Sequence, residues 1–237
     1  MKKAFSMIEL IVVIVLIGIL AFFLMPSGTD TKTLEAARQI ISHIRYAQHL
    51  ALNNDKFDSN DENWYKKFWR VSFSQFKSNY DSCEIFSRTE NKNVNCVRYI
   101  IWQDTAEKST GNPNSLEEIA LDPAVPGKRL YREYSGSRKE NVGTDKMNLS
   151  KTYGIIDVSF ENIDGSTKGF MFDDLGRIYQ NATTITQAYA NQFARDFIRI
   201  KLTGKNDDKV NILVFTASGY ACVENGSDDC VAPQATK

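Results

Sequence analysis

The chain has 237 residues, and its 29 basic and 29 acidic side chains give a formal net charge of zero. That length suits one domain of ordinary size with an added segment, and the charge balance argues against a strongly cationic nucleic-acid binder or a polyanionic tail. Hydrophobic residues make up 42% of the chain, enough for a packed core, and a mean hydropathy of −0.36 averages over one intensely apolar stretch.

That stretch comes first. Lys2 and Lys3 precede a run from Phe5 to Met25 whose only charge is Glu9. A helix of about 21 residues covers roughly 30 Å, the hydrocarbon thickness of a bilayer. Basic residues ahead of it predict a cytoplasmic N-terminus with the remaining chain outside. A cleaved secretory signal is the rival reading. Glu9 within the apolar run counts against it, as does the lack of a small-residue cleavage site where the run ends, at Phe22-Phe23-Leu24-Met25-Pro26. A carboxylate inside an apolar helix costs on the order of 2–3 kcal/mol, which predicts a cationic partner for Glu9. The plainer alternative has Glu9 reaching water at the headgroups.

Pro26 lacks an N–H and clashes with the preceding turn, so a kink is predicted there. Ser27-Gly28-Thr29-Asp30 adds turn formers, and the helix is expected to restart with Asp30 or Thr31 near its cap. Leu34, Ala37, Ile41, Ile44 and Gln48–Ala51 recur at helical spacing, with Arg38, His43 and Arg45 on other faces. This amphipathic half, residues 26–54, is predicted to lay its apolar stripe on a sheet and to end near Asn53-Asn54-Asp55. His43 and His49 are the only histidines. Their spacing does not suit a shared metal ion, so surface or interface roles are expected.

From residue 55 onward the pattern is that of a β-rich head. Strands are predicted at Phe68–Ser74, Cys83–Phe86 and Val97–Trp102, the last two forming a hairpin around Arg88–Asn95. Residues 103–150 are polar and rich in turn formers (Asn112-Pro113, Asp122-Pro123, Pro126-Gly127), which predicts a surface insertion with a short helix around Ser115–Ala120. Strand patterns resume at Ile155–Phe160 and Gly169–Phe172, and Asp173–Arg177 turns the chain into Ile178-Tyr179. Phe197–Leu202 and Val210–Thr216 then read as a hairpin. Cys83 and Cys96 form one close pair and Cys222 and Cys230 another, which suggests two local disulfide loops in an oxidising compartment rather than a metal site.

Lys2-Lys3-Ala4, then Phe5-Ser6-Met7-Ile8-Glu9-Leu10 and Ile11-Val12-Val13-Ile14, resembles the class III signal of type IV pilins and pseudopilins. The resemblance implies cleavage by a prepilin peptidase between Ala4 and Phe5 and N-methylation of Phe5. It makes Glu9 the fifth mature residue and places Pro26 where this family often kinks its helix. Ala4 departs from the usual glycine. Phe5, Glu9 and Pro26 become the implied assembly residues, with Glu9 meeting the Phe5 amine of a neighbour. Phe172-Asp173-Asp174-Leu175-Gly176-Arg177 and Ser218-Gly219-Tyr220, with Leu34–Arg38 and Arg45–Gln48, look like the GspH/FimT-type minor pseudopilins. The implied fold is α+β: a long N-terminal helix packed on an antiparallel β-sheet head. The implied organisation is 1–4 leader, 5–25 membrane and assembly helix, 26–54 amphipathic half, and 55–237 extracytoplasmic head with the 103–150 insertion. The implied partners are other pilin or pseudopilin subunits, the prepilin peptidase and a bacterial inner membrane crossed once, in a type II secretion pseudopilus or a type IV pilus.

No nucleophile-elbow, Walker, Rossmann or zinc-protease motif occurs, so no enzyme, cofactor or small-molecule substrate is expected. Asp173 and Asp174 are adjacent and should point apart, which argues against an acid pair. The second reading is a competence-type minor pilin whose head binds DNA. Its candidate contacts are Lys128, Arg129, Arg132, Arg138 and Lys139, with Tyr131 and Tyr134 interleaved. Glu133 and Glu140 dilute that patch, so the reading ranks below filament assembly.

Overall fold

The computed structural model describes residues 7–24, 31–78, 94–105, 112–131, 142–163, 168–180, 193, 195–226 and 228–230. They fall in two compact units, Met1–Thr31 and Lys32–Lys237. In the first, helix α1 (Met7–Leu24) has 18 residues and carries Glu9 in its first turn. Its run of Ile, Val and Leu gives the helix no polar side, although the β-branched residues in it have lower intrinsic helix propensity than leucine or alanine. All residues from Met7 to Ile17 are exposed. Among the described residues, no helix is long and apolar enough to cross a membrane. The described helix lies within the Phe5–Met25 run. Ala4, Phe5, Met25 and Pro26 lie outside the described residues.

In the second unit, helix α2 (Thr31–Leu52) has 22 residues. Ala36, Ala37, Ile40, Ile41, Ile44, Ala47 and Ala51 are all in the core. This buried face is wider than the predicted stripe, because alanine at four of those positions lets backbone and sheet approach closely. The helix stops at Leu52, where the Asn53 side chain donates to the carbonyl of His49 at 2.7 Å.

The strands form two antiparallel four-stranded sheets. The first contains β1 (Trp69–Ser78), β2 (Val94–Trp102), β4 (Gly169–Phe172) and β5 (Ile178–Gln180), in the order β2-β1-β4-β5. The second contains β3 (Ile155–Glu161), β6 (Phe197–Gly204), β7 (Lys209–Phe215) and β8 (Ala221–Val223), in the order β3-β6-β7-β8. The chain is therefore α+β. β1 and β2 pair from Arg70↔Trp102 to Ser78↔Val94, so Val94 and Asn95 belong to a strand and not to the predicted turn. The predicted strand Cys83–Phe86 lies outside the described residues. β6 alternates half-buried and buried residues along its length, sending Ile198, Ile200 and Leu202 inward. All four residues of β4 are buried. Phe170 and Phe172 enter the main core, whereas Met171 joins Tyr65, Phe68 and Tyr179 in a small second core on the other face.

The 103–150 stretch differs from the surface loop expected of its composition. Leu130, Met147 and Leu149 are completely buried and Ala120 nearly so. Isolated bridges Trp102↔Ile119 and Arg98↔Asn148 lay this segment along β2, and Leu121↔Arg129 folds it on itself. Residues 115–120 are turns rather than the expected helix. A helix forms later, as α3 (Leu149–Tyr153), where Asn148 caps its start and left-handed Gly154 its end. Scattered apolar residues among prolines carry no period, so sequence alone gave them no partner.

Candidate functional site where two turns meet the second helix

Two turns distant in sequence converge on one side chain. Gln48, near the C-terminal end of α2, donates through Nε2 to the Gly176 carbonyl at 2.9 Å and the Ser218 carbonyl at 2.6 Å. Gly176 belongs to the turn from β4 to β5 and Ser218 to the turn from β7 to β8, so Gln48 ties both sheets to the helix.

Each turn has its own internal support. The Asp173 carboxylate is fully buried. It accepts from the backbone N–H of Leu175 at 3.0 Å and of Arg177 at 2.8 Å, and from the Arg177 guanidinium. Gly176 (φ 75°) and Gly219 (φ 65°) take left-handed conformations that L side chains tolerate poorly. A Cβ on Gly219 would lie 2.5 Å from the Gly176 carbonyl oxygen and collide with Gln48. Arg45 stands 5.4 Å over the Tyr220 ring and donates to the Ala221 carbonyl at 2.9 Å. Leu52, Leu175 and Tyr220 are nonetheless exposed.

One turn and a half back along α2, a polar chain crosses the core. Gln39 Nε2 donates to the Tyr99 hydroxyl at 2.9 Å, and Tyr99 lies 2.6 Å from His43 Nδ1. The Tyr153 hydroxyl donates to Gln39 Oε1 at 2.5 Å. The Tyr99 oxygen accepts from Gln39, and the direction of its hydrogen bond with His43 Nδ1 is set by the imidazole tautomer. Burial pushes the His43 pKa down to about 4, with Asp122 pulling it up and Lys146 pushing it down. His43 is thus buried and uncharged near neutral pH, and not the surface or interface residue that its sequence context suggested. Burial also raises Tyr153 to about 12 and raises Tyr99 further.

On the interior strand β6 of the second sheet, Arg199 pairs with Glu161, Glu224 and Asp228. These bonds hold the loop closed by the Cys222–Cys230 disulfide against β6. Hydrogen bonds to the Arg199 guanidinium and Asn211 lower the Glu224 pKa against the opposing effect of burial, which is the largest influence. Cys96 is also disulfide-bonded. Cys83, its expected partner, lies outside the described residues.

Among the described residues, no group of three His, Cys, Asp or Glu side chains could hold a metal ion. Of the five candidate DNA contacts, Lys128 and Arg129 are described and both are half-buried. Arg129 donates to the Ile119 carbonyl at 2.6 Å, which commits it to the fold of the insertion. Arg132, Arg138 and Lys139 lie outside the described residues. Asp173 is buried under Arg177, and Asp174 lies half-buried in the turn that follows β4. Sequence reading singled out the two turns but missed Gln48, Tyr99 and Arg199. A polar residue inside an otherwise apolar stripe was the available signal for Gln48. Nothing local marks Tyr99 or Arg199.

No protein-family model, no curated protein and no solved structure matches the chain.

Proposed function

We propose that this chain is a type IV pilin-like subunit, of the GspH/FimT-type minor pseudopilins, that assembles into an extracytoplasmic filament of a type II secretion system or a type IV pilus. The observation that carries the reading is α1. Its described side chains are apolar but for Glu9, and every one from Met7 to Ile17 is exposed. An apolar surface all round a helix is stable only in lipid or in a bundle of like helices. A filament subunit needs both: an inner-membrane anchor before assembly and a core helix after it. Glu9 then pairs with the amine that prepilin peptidase creates at Phe5 of a neighbour. That pairing offsets the burial of both charges and fixes axial register. The head supports the same reading, because the two turn motifs that resemble the family meet on Gln48. Turns that share one anchor across two sheets are expected to be kept together in sequence.

The test is mass spectrometry of the mature N-terminus from membranes of cells with and without prepilin peptidase. A chain beginning at methylated Phe5 only when the peptidase is present is the expected result. A chain cut near Pro26, or never cut, leaves Glu9 without its amine and overturns the assembly mechanism.

A further inference from the structure

Three oxygens meet where the connection from β6 to β7 folds back on the start of α2. Thr33, in the first turn of α2, is completely buried, and its hydroxyl has no hydrogen-bond partner among the described residues. Asp208 is half-buried as a residue, yet both its carboxylate oxygens are shielded from solvent, and neither has a hydrogen-bond partner among the described residues. These oxygens surround Gly204. A Cβ on that glycine would lie 2.3 and 2.7 Å from the Asp208 oxygens and 2.6 Å from Thr33 Oγ1. Only a residue without a side chain keeps the space between them open. The Thr33 hydroxyl does not donate to the carboxylate beside it, so the oxygens stand around a shared space rather than along a donor–acceptor line.

The backbone fixes this arrangement. Gly204 donates its N–H to the Asp208 carbonyl at 2.8 Å, and Asp207 donates to the Gly204 carbonyl at 3.0 Å. A carboxylate withdrawn from water with no donor costs several kcal/mol unless a positive charge meets it. The two lysines of the hairpin do not meet it. Lys209 pairs with Asp207 at 3.2 Å. The stem of Lys205 lies over Gly154, its Cδ 3.5 Å from where a Cβ on that glycine would stand.

We infer that Asp208 and Thr33, around the gap at Gly204, form a site for a hard monovalent cation such as sodium, which ties the β6–β7 hairpin to the start of α2. Oxygen ligands alone select hard cations over the softer transition metals. Charge decides between one positive charge and two. One carboxylate balances a monovalent ion, whereas a divalent ion would leave a surplus charge beside the first turn of α2, whose N–H groups already carry partial positive charge. With one charged ligand the site is weak, since affinity for such ions rises with the number of carboxylates. The three oxygens all belong to the head, so the inference stands apart from the filament reading.

Thermal unfolding of the full-length protein in detergent micelles tests the site, with sodium chloride set against N-methylglucamine chloride at equal ionic strength. Sodium at about ten times its dissociation constant should multiply the folding equilibrium constant about tenfold and raise the melting temperature by about 4 °C. Asp208→Asn keeps the shape and removes the charge, so it should melt at the same temperature in both salts. Thr33→Val should need more sodium for the same rise. Asp196→Asn, at an exposed carboxylate elsewhere in the head, should respond as the wild type does. Saturable broadening of the sodium NMR line by the folded wild-type protein reads binding directly and needs no variant to fold. Equal melting of the wild type in the two salts, a sodium effect that persists in Asp208→Asn, or broadening that does not saturate overturns the inference. Stabilisation through Asp208 by calcium chloride but not by sodium chloride overturns it too. None of these outcomes depends on cleavage at Phe5, so the filament reading can fail while the cation site stands, and the reverse.

Discussion

His43 carries the imidazole that the fold has desolvated, and its behaviour with pH follows from that. Its pKa is about 4 when folded and has the ordinary value of 6.5 when unfolded. Between those values the unfolded chain binds a proton that the folded chain refuses. Stability therefore falls as pH drops from about 6.5 to about 4 and levels off below, with a total loss of up to about 3 kcal/mol from this residue. Urea midpoints at pH 7 and pH 5 measure the slope, and His43→Gln should flatten it. Asp173 is the second residue whose removal has a defined consequence. Asp173→Ala leaves two backbone N–H groups of a tight turn without their acceptor, at about 2–4 kcal/mol in total. Asp173→Asn keeps one acceptor oxygen and should lose less. Equilibrium denaturation of the two variants checks the order.

At the scale of elements, the junction between α2 and the two turns depends on what each glycine leaves room for. The Cβ of Gly176→Ala would meet Gln48 Nε2 at 2.9 Å and Leu52 Cδ2 at 3.3 Å, both ends of side chains that can move. The Cβ of Gly219→Ala would meet the Gly176 carbonyl at 2.5 Å, which is backbone held by Gln48. Both variants carry the left-handed strain of about 1 kcal/mol, but only Gly219→Ala must also displace a turn. Gly219→Ala should therefore lower the melting temperature more than Gly176→Ala. Reversal of that order would show that the turns yield and Gln48 does not hold them. The former insertion has a comparable test. Leu130 is completely buried, so Leu130→Ala should cost about 2–5 kcal/mol, whereas a residue on a surface loop would cost almost nothing. Thermal unfolding distinguishes the two.

At the scale of the whole molecule, the two units differ in what they leave exposed. The head closes its own core, with α2, both sheets and the 112–150 region all contributing buried residues. Helix α1 leaves the apolar side chains from Met7 to Ile17 exposed. Glu9 is the position where that division has a functional reading. Under the proposed function, Glu9→Gln keeps the helix apolar and should leave the protein in the membrane fraction with a normal melting curve for the head. The same substitution removes the charge that meets the Phe5 amine and should abolish entry into sheared filaments. Filaments containing Glu9→Gln at wild-type levels would remove Glu9 from the mechanism.

The sequence by itself determined the local elements wherever one period or one turn signal dominated. The apolar run of α1, the 3.6-residue period of α2, the alternation of β6 and the Asp173–Arg177 turn are all of this kind. Each is set by interactions within a few residues, so the neighbouring sequence contains the reason for it. Tertiary structure alone decided the rest. His43 is neutral because the core desolvates it, with Tyr99, 56 residues away, as its hydrogen-bond partner. The Asp173 turn and the Gly219 turn meet because Gln48 reaches carbonyls 128 and 170 residues further along. The 103–150 stretch, which looked like a loop from its prolines and polar residues, gives Leu130, Met147 and Leu149 to the core, since β2 offers it an edge to bridge. Burial and long-range hydrogen bonds depend on which surfaces the folded chain brings together, and no window of adjacent residues encodes that choice.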